Sequence, residues 1–255
     1  MTAAARSATA RVTDPHHRDP VVMAAVALLS RATGHETSRY ITLLAADIGG
    51  RPWSSRDGRA MQRAGAFECP RPMAAATADR RQLVMLVPVR PGAGVPDVRA
   101  VADEVVRWLA VTGHEPVVVG SGLVCGDGVV AAVEEACLIL RVVRALAYPA
   151  GAYQLDDVPF ETALARSPDI AARLAARIEP LTASDAPLLE TLTSYLDNGA
   201  DRRRTARLLY IHPNTLLYRL RRVRELTGLS PTVPRDILTL RAAMIAWRLG
   251  SVESA

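Results

Sequence analysis

The order of apolar and polar positions divides the chain into a mixed part and an all-helical part. The apolar runs at 82–89 and 116–123 predict buried strands, and 152–158 predicts a third strand. Residues 97–112 and 127–146 repeat apolar positions at helical spacing. This alternation predicts an α/β (α+β) fold in which helices pack on one sheet.

The N-terminal part has weaker signals. Residues 1–19 lack periodicity, end in DPHHRDP and predict a disordered lead. Residues 20–80 form a helical and loop-rich N-terminal region of unknown role. Within it, apolar spacing over 21–44 predicts two short helices separated at Gly34, and 49–80 is rich in glycine and proline.

From Pro168 onward the pattern is entirely helical. A linker helix leads to Pro180, Ser184 is a candidate N-cap for the next helix, and Gly199 is its expected end. We therefore expect a middle α/β domain at 81–180 and an all-α domain at 181–255.

The all-α domain contains a pair of helices joined by a short turn. Asp201 can cap a helix over 202–209, and Pro213 suits the first position of a second helix, which Gly228 ends. Helix, short turn and longer helix are the arrangement of a helix-turn-helix, whose second helix enters the DNA major groove.

The second helix has two unlike faces. Leu216, Leu220, Val223 and Thr227 share one side, and polar residues occupy the other. The 31 basic residues include no lysine, so arginine richness and the net charge of +5 say little by themselves. However, the segment 202–224 contains eight arginines and no acid. This local concentration favours a polyanion as partner, although a solvated helix face is the simpler alternative.

Side-chain geometry suggests a role for each polar residue. Asn214 can contact adenine, Arg222 or Arg219 can contact guanine, and Thr215 and Tyr218 can reach a phosphate or a thymine methyl group. The arginines at 202–204 can hold backbone phosphates. The candidate DNA-binding residues are Arg202, Arg203, Arg204, Asn214, Thr215, Tyr218, Arg219, Arg221 and Arg222. Asn214 could instead satisfy amides at its own helix start, and His212 is expected to support the turn rather than to read bases.

The segment DNGADRRRTARLLYIHPNTLLYRLRRVRELTGL resembles the C-terminal helix-turn-helix of the PucR/CdaR family of bacterial transcriptional regulators. The resemblance rests on "NG", "TA", "IH", "NTL", "YRL" and "ELTGL", and it continues through PRDILTLRAAMIAWRLG. Pro213 departs from the pattern where the family commonly has an arginine, and Tyr210 stands where many such turns have glycine. The middle region resembles, more loosely, the GGDEF-like domain of these regulators, but it lacks the cyclase signature.

We therefore predict a sequence-specific transcriptional regulator that binds double-stranded DNA. By analogy with helix-turn-helix proteins it should act as a homodimer, and an unknown small-molecule effector is a further candidate partner. The apolar stripe of the C-terminal helix 236–249 could serve the dimer or the core. The alternative is a nucleotide- or small-molecule-binding protein or enzyme that uses Gly120, Ser121 and Gly122 as a loop. We expect no enzymatic activity, cofactor or metal, because the usual catalytic and metal-ligand motifs are missing. No apolar run is long enough to span a membrane and no secretory signal is visible, which predicts a cytoplasmic location.

Overall fold

The structure, a computed structural model, describes residues 19–31, 39–54, 57, 72–89, 97–125, 128–184 and 186–253. The expected disordered lead therefore lies outside the described residues, apart from Asp19, as does much of the loop-rich segment 49–80. The chain forms two compact units, Met1–Pro159 and Phe160–Ala255.

The first unit is a mixed α/β structure. Its elements are α1 Pro20–Arg31, β1 Arg39–Asp47, β2 Met73–Ala76, β3 Gln82–Val89, α2 Val98–Val111, β4 Pro116–Cys125, α3 Val129–Ala145 and β5 Gly151–Tyr153. The strands form one sheet in the order β2-β3-β1-β4-β5. All neighbours are antiparallel except β4 and β5, which are parallel.

Strand β1 lies at the centre of this sheet, where a helix was expected. Leu43 pairs with Met85 on one side and with Gly120 on the other. The strand is buried on both faces, and such a strand has a continuous apolar run rather than an alternating one. A short run of this kind also satisfies helical spacing, so the second of the two short N-terminal helices was wrongly predicted.

Helices cover both faces of the sheet. Ile41 and Leu43 of β1 share a core with Val105 and Leu109 of α2. On the opposite face, α1 and α3 pack on the strands. A central strand flanked by two layers of helices explains why the region 20–80 belongs to the same unit as the middle of the chain.

Local signals identified most of the middle elements. The strand at 82–89 has the predicted bounds, and Asp97 caps α2 by accepting a hydrogen bond from the Arg99 amide. The third strand is shorter than expected. It ends at Tyr153, and Leu155–Asp157 is a 3-10 turn because Gln154 and Asp157 form a reciprocal capping box.

Gly120, Ser121 and Gly122 lie inside β4 and do not form a loop. A side chain on Gly120 would meet Val98 Cγ1 at 2.8 Å, so glycine is needed for the close approach of α2. Ser121 Oγ donates a 2.5 Å hydrogen bond to the Ala132 carbonyl oxygen of α3. Gly122 has φ 45° and is the unpaired residue of a β-bulge, between Ser121, which pairs with Thr42, and Leu123, which pairs with Ile41. The alternative of a ligand-binding loop at these residues is therefore wrong, because they serve packing and strand curvature.

A buried polar cluster joins the end of β1 to the start of β4. Asp47 Oδ2 lies 2.9 Å from His114 Nδ1 and accepts a 3.0 Å hydrogen bond from the Glu115 amide. Asp47 Oδ1 accepts a 3.0 Å hydrogen bond from the Arg51 amide. The His114 ring stacks on Trp53 with centroids 4.1 Å apart. This cluster holds the chain that follows β1 against the sheet.

The second unit is all-helical in its described residues. Its helices are α4 Pro159–Ala165, α5 Pro168–Thr182, α6 Leu188–Asp197, α7 Arg202–Leu208, α8 Pro213–Thr227 and α9 Pro234–Glu253. Helix α5 packs along α9, which places the division between the units at Pro159 rather than near residue 180. Helix α6 begins at Leu188 after Pro187, so Ser184 is not its N-cap.

Candidate nucleic-acid interface

The turn between α7 and α8 is a complete Schellman motif. The Ile211 amide donates to the Ala206 carbonyl at 3.0 Å, and the Tyr210 amide donates to the Arg207 carbonyl at 3.2 Å. Tyr210 occupies the left-handed position with φ 51°. A residue other than glycine costs about 1 kcal/mol there. The hydrogen bonds and the packing of Ile211 hold the turn in spite of this cost.

Helix α8 begins with a side-chain cap. His212 Nδ1 accepts a 3.2 Å hydrogen bond from the Asn214 amide, and Pro213 occupies the first turn, where no amide hydrogen is needed. His212 is thus a structural residue of the turn, as expected. Gly228 ends the helix with φ 71°. Because His212 satisfies the Asn214 amide, the Asn214 side chain is not required for capping.

One face of α8 is anchored in the domain core. Leu216 and Val223 are fully buried, and Leu220 is 4% exposed. They pack with Ala206 of α7 and Leu192 of α6 in a single cluster. Ala206 is small at the point where α7 and α8 approach each other, so the two helices are held at a fixed angle. The polar face of α8 is therefore presented by a rigid scaffold.

The exposed face of α8 is centred on a line of polar residues. Asn214, Tyr218, Arg221 and Glu225 fall within about 60° of arc at 100° per residue, and all four are exposed. Tyr218 is 60% exposed. Within the described part of the chain, the Asn214 and Arg221 side chains have no hydrogen-bond partner. Thr215 and Arg222 flank this line on one side and are also exposed.

Two of the predicted guanine-reading arginines have partners within the domain. Arg219 is half-buried, and its Nη1 donates a 3.1 Å hydrogen bond to Thr191 Oγ1 of α6. Arg219 therefore points away from the exposed line and joins two helices, which revises its predicted role. Arg222 Nη1 lies 2.6 Å from Glu225 Oε2, and this pairing raises the pKa of Arg222. Exposed pairs of this kind contribute little energy and can exchange partners.

A second basic surface lies at the start of α7. Arg202, Arg203 and Arg204 are exposed in its first turn. Asp201 Oδ1 accepts a 3.0 Å hydrogen bond from the Arg204 amide, which lowers the pKa of Asp201 and confirms its predicted capping role. Three cations at a helix start oppose the helix dipole, so their placement is not explained by helix stability.

The apolar stripe of α9 belongs to the core. Leu240 is fully buried and Met244 is 7% exposed, and both pack with the residues that anchor α8. Ile237 and Trp247 pack at the edge of the same cluster. Arg241 Nη2 donates a 2.5 Å hydrogen bond to the Leu196 carbonyl at the end of α6. Of the two roles that the sequence allowed for this stripe, the structure supports core packing.

The described residues contain neither a group of three or more His, Cys, Asp and Glu side chains able to hold a metal ion, nor a helix apolar and long enough to cross a membrane.

Comparison with known proteins identifies the helical domain. Residues 188–246 match the PucR C-terminal helix-turn-helix domain. The chain carries a PucR-type domain. The matched residues include α6, α7 and α8, together with most of α9. The PucR-type domain therefore contains both the anchored helix and the basic start of α7.

The curated relatives match this chain over a short stretch of sequence. An uncharacterized protein of Mycobacterium tuberculosis is 44% identical over 72 residues, which are 28% of this chain and 17% of the relative. The purine catabolism regulatory protein of Bacillus subtilis is 42% identical over 65 residues, which are 26% of this chain and 12% of the relative. The chain spans less than a fifth of the length of these relatives.

Among solved structures, the chain is similar to the regulator of polyketide synthase expression from Bifidobacterium adolescentis. The two share 20% sequence identity with a TM-score of 0.40, over 97% of this chain and 91% of that chain.

Proposed function

We propose that the protein is a sequence-specific DNA-binding transcriptional regulator and that α8 reads the major groove. The observation that supports this most is the pair of unlike faces on α8. One face is buried against α6 and α7, and the other presents Asn214, Tyr218 and Arg221 in one line. A helix held in this way can enter a groove about 12 Å wide without rearranging the domain.

The geometry favours Arg221 over Arg219 and Arg222 as the principal guanine contact. Its guanidinium is exposed, has no partner in the described part of the chain and lies on the same line as Asn214. A bidentate arginine–guanine contact and a bidentate asparagine–adenine contact each supply about 1 to 3 kcal/mol of discrimination. Asn214 lies about one helical turn before Tyr218, and Arg221 lies about one turn after it. The line of side chains therefore covers neighbouring base pairs.

The arginines at the start of α7 are proposed to bind phosphates. In helix-turn-helix proteins the first helix crosses the DNA backbone while the second lies in the groove. Arg202, Arg203 and Arg204 are exposed at the start of α7. Cations at this end of a helix are unfavourable for the helix dipole, but they are well suited to bind a phosphate. These contacts fix orientation and add salt-dependent affinity without reading sequence.

We further propose that the protein acts as a homodimer in the cytoplasm, with half-sites separated by one DNA turn or a multiple of it. Because the α9 stripe is core, the first unit is the better candidate for the dimer contact. We also propose that the unknown effector binds the region 81–180, which resembles a GGDEF-like domain. The α/β sheet covered by helices on both faces supports this resemblance, and strand β1 extends the domain back to Arg39.

Selection of genomic fragments by the full chain, followed by titration of the recovered site, tests the function. Asn214→Ala and Arg221→Ala should lose selectivity between the recovered site and unrelated DNA by about tenfold or more each. Arg203→Ala should weaken binding to both DNAs equally and reduce the salt slope by about one.

Arg173→Ala is the matched control, because Arg173 is an exposed arginine of α5 outside the PucR-type domain. It should bind both DNAs like the wild type. Recovery of no preferred fragment would refute the proposed function. If fragments are recovered but the Asn214 and Arg221 variants keep wild-type selectivity, the reading face is not the one proposed.

A further inference from the structure

Tyr210 is the most exposed large apolar or aromatic residue in the described part of the chain. Its exposed fraction is 96%, compared with 60% for Tyr218 and 54% for Leu208. Within that part of the chain its phenol ring and hydroxyl group make no hydrogen bond or ring contact. The side chain therefore adds nothing to the packing of the second unit.

The backbone at Tyr210 is also unfavourable for a side chain. Its φ of 51° lies in the left-handed region, at the position of a Schellman motif where glycine is preferred. The equivalent position after α6 is Gly199, with φ 68°. Tyrosine at 210 is thus disfavoured by the backbone and is not compensated by contacts within the protein, which points to an external contact.

The position of Tyr210 identifies the class of that partner. Tyr210 lies three positions before Pro213, a distance of at most about 10 Å along the chain. If the start of α8 lies in a groove about 12 Å wide, the phosphates along its edge are within reach of the turn. The neighbouring side chains of Arg207 and His212 are exposed as well, and Arg207 makes the surface around the turn positive. A phenol hydroxyl can donate a hydrogen bond to a phosphate oxygen.

We infer that Tyr210 is a further DNA-contacting residue, whose hydroxyl group donates a hydrogen bond to a backbone phosphate beside the α8 groove. The inference rests on the proposed function and adds to the residues expected from the sequence. It also explains why tyrosine occupies a backbone position at which glycine is preferred.

Tyr210→Gly and Tyr210→Phe test this inference in the full chain, with the recovered operator and an unrelated duplex as probes. Tyr210→Gly should raise the thermal midpoint of the second unit by a few degrees, because glycine adopts the left-handed position freely. It should also weaken binding to both duplexes by about tenfold. If Tyr210 had only a structural role, a substitution that stabilises the fold would not weaken DNA binding.

Tyr210→Phe separates the hydroxyl from the turn itself. It keeps the ring and the backbone strain, so its stability should match the wild type, while its affinity falls by about threefold or more on both duplexes. The salt slope should not change, because a neutral hydroxyl displaces no counterion, in contrast to Arg203→Ala. Ala147→Gly is the control, since Ala147 occupies the same left-handed position after α3 with φ 55°, and it should bind DNA normally.

Wild-type affinity of Tyr210→Phe would overturn the inference and leave the proposed function intact. A loss confined to the operator, with unrelated DNA unaffected, would also overturn it, because a phosphate contact is independent of sequence. Failure of the wild-type chain to select any fragment would instead refute the proposed function.

Discussion

Asp47→Ala is the most informative test of the first unit, because one carboxylate organises three groups there. Asp47 accepts hydrogen bonds from the Arg51 and Glu115 amides at 3.0 Å each, and its Oδ2 lies 2.9 Å from His114 Nδ1. The side chains of His114 and Asp47 are 0% and 4% exposed. Alanine at position 47 would leave the ring of His114 without this partner in a site that water does not reach.

The expected cost follows from that burial. A hydrogen bond to a charged group contributes about 1.5 to 3 kcal/mol, and a buried polar group left without its partner costs about 1 to 3 kcal/mol. The two amides belong to exposed residues and can recover part of their loss by hydrating. We therefore expect Asp47→Ala to lower the free energy of unfolding of the first unit by about 3 kcal/mol. This is a large share of the stability of a typical domain.

The effect should depend on pH in a defined direction. Burial raises the pKa of Asp47, but hydrogen bonds from Arg51, Glu115 and His114 lower the pKa by a larger amount. The folded-state pKa therefore lies below the ordinary value of 3.8. A carboxylate with a lowered pKa stabilises the fold above its unfolded-state pKa and loses that contribution as pH falls through its folded-state pKa. The difference between wild type and Asp47→Ala should therefore be constant near neutral pH and shrink below about pH 4.

Urea denaturation at several pH values, followed by circular dichroism and tryptophan fluorescence, measures this difference. Trp53 reports the cluster directly, because it stacks on His114. Asp156→Ala is the control, since Asp156 is exposed, and it should change stability by no more than about 0.5 kcal/mol. A loss below about 1 kcal/mol for Asp47→Ala at pH 7 would refute the reasoning. The same loss at pH 7 and pH 3.5 would refute the assigned role of ionisation.

Two further predictions concern single side chains. Arg219→Met should lower the free energy of unfolding of the second unit by about 1 to 2 kcal/mol through loss of the hydrogen bond to Thr191, and it should leave base selectivity unchanged. Altered base selectivity of this variant in footprinting would show that Arg219 contacts bases. Burial raises the pKa of Cys137 to about 12, so its thiol should resist alkylation at pH 8 while the exposed Cys125 reacts. Peptide mass mapping after a short iodoacetamide pulse measures both, and equal labelling of the two would contradict the burial of Cys137.

The accuracy of the sequence predictions depended on whether the signals were local. Helix α8 and strand β3 have the bounds that the sequence predicted. Pro213 and Gly228 mark the ends of α8 through backbone preferences that need no partner, and the first helix of the pair ends one residue before its predicted limit. By contrast, β1 was predicted as a helix because its burial on both faces removes the alternation that marks a strand.

Side-chain direction in the candidate site was harder to predict than the helices. The helical wheel separates buried from exposed residues of α8 correctly, but Arg219 lies at the border, about 140° from Asn214 at 100° per residue. Only the position of Thr191 on α6 decides that its guanidinium turns inward. The sequence showed that tyrosine replaces glycine at 210, and only the structure showed that its side chain is almost wholly exposed.

The sequence alone determined the helix-turn-helix, the acid-free concentration of arginine around it and the two faces of α8. All three depend on backbone preference and on residue spacing within about thirty positions. The tertiary structure decided that 39–47 is the central strand and that Gly120, Ser121 and Gly122 lie within β4. It also decided that Arg221 rather than Arg219 lies on the exposed face without a hydrogen-bond partner among the described residues. These features depend on contacts between residues distant in sequence, and such contacts leave no periodic pattern in the chain.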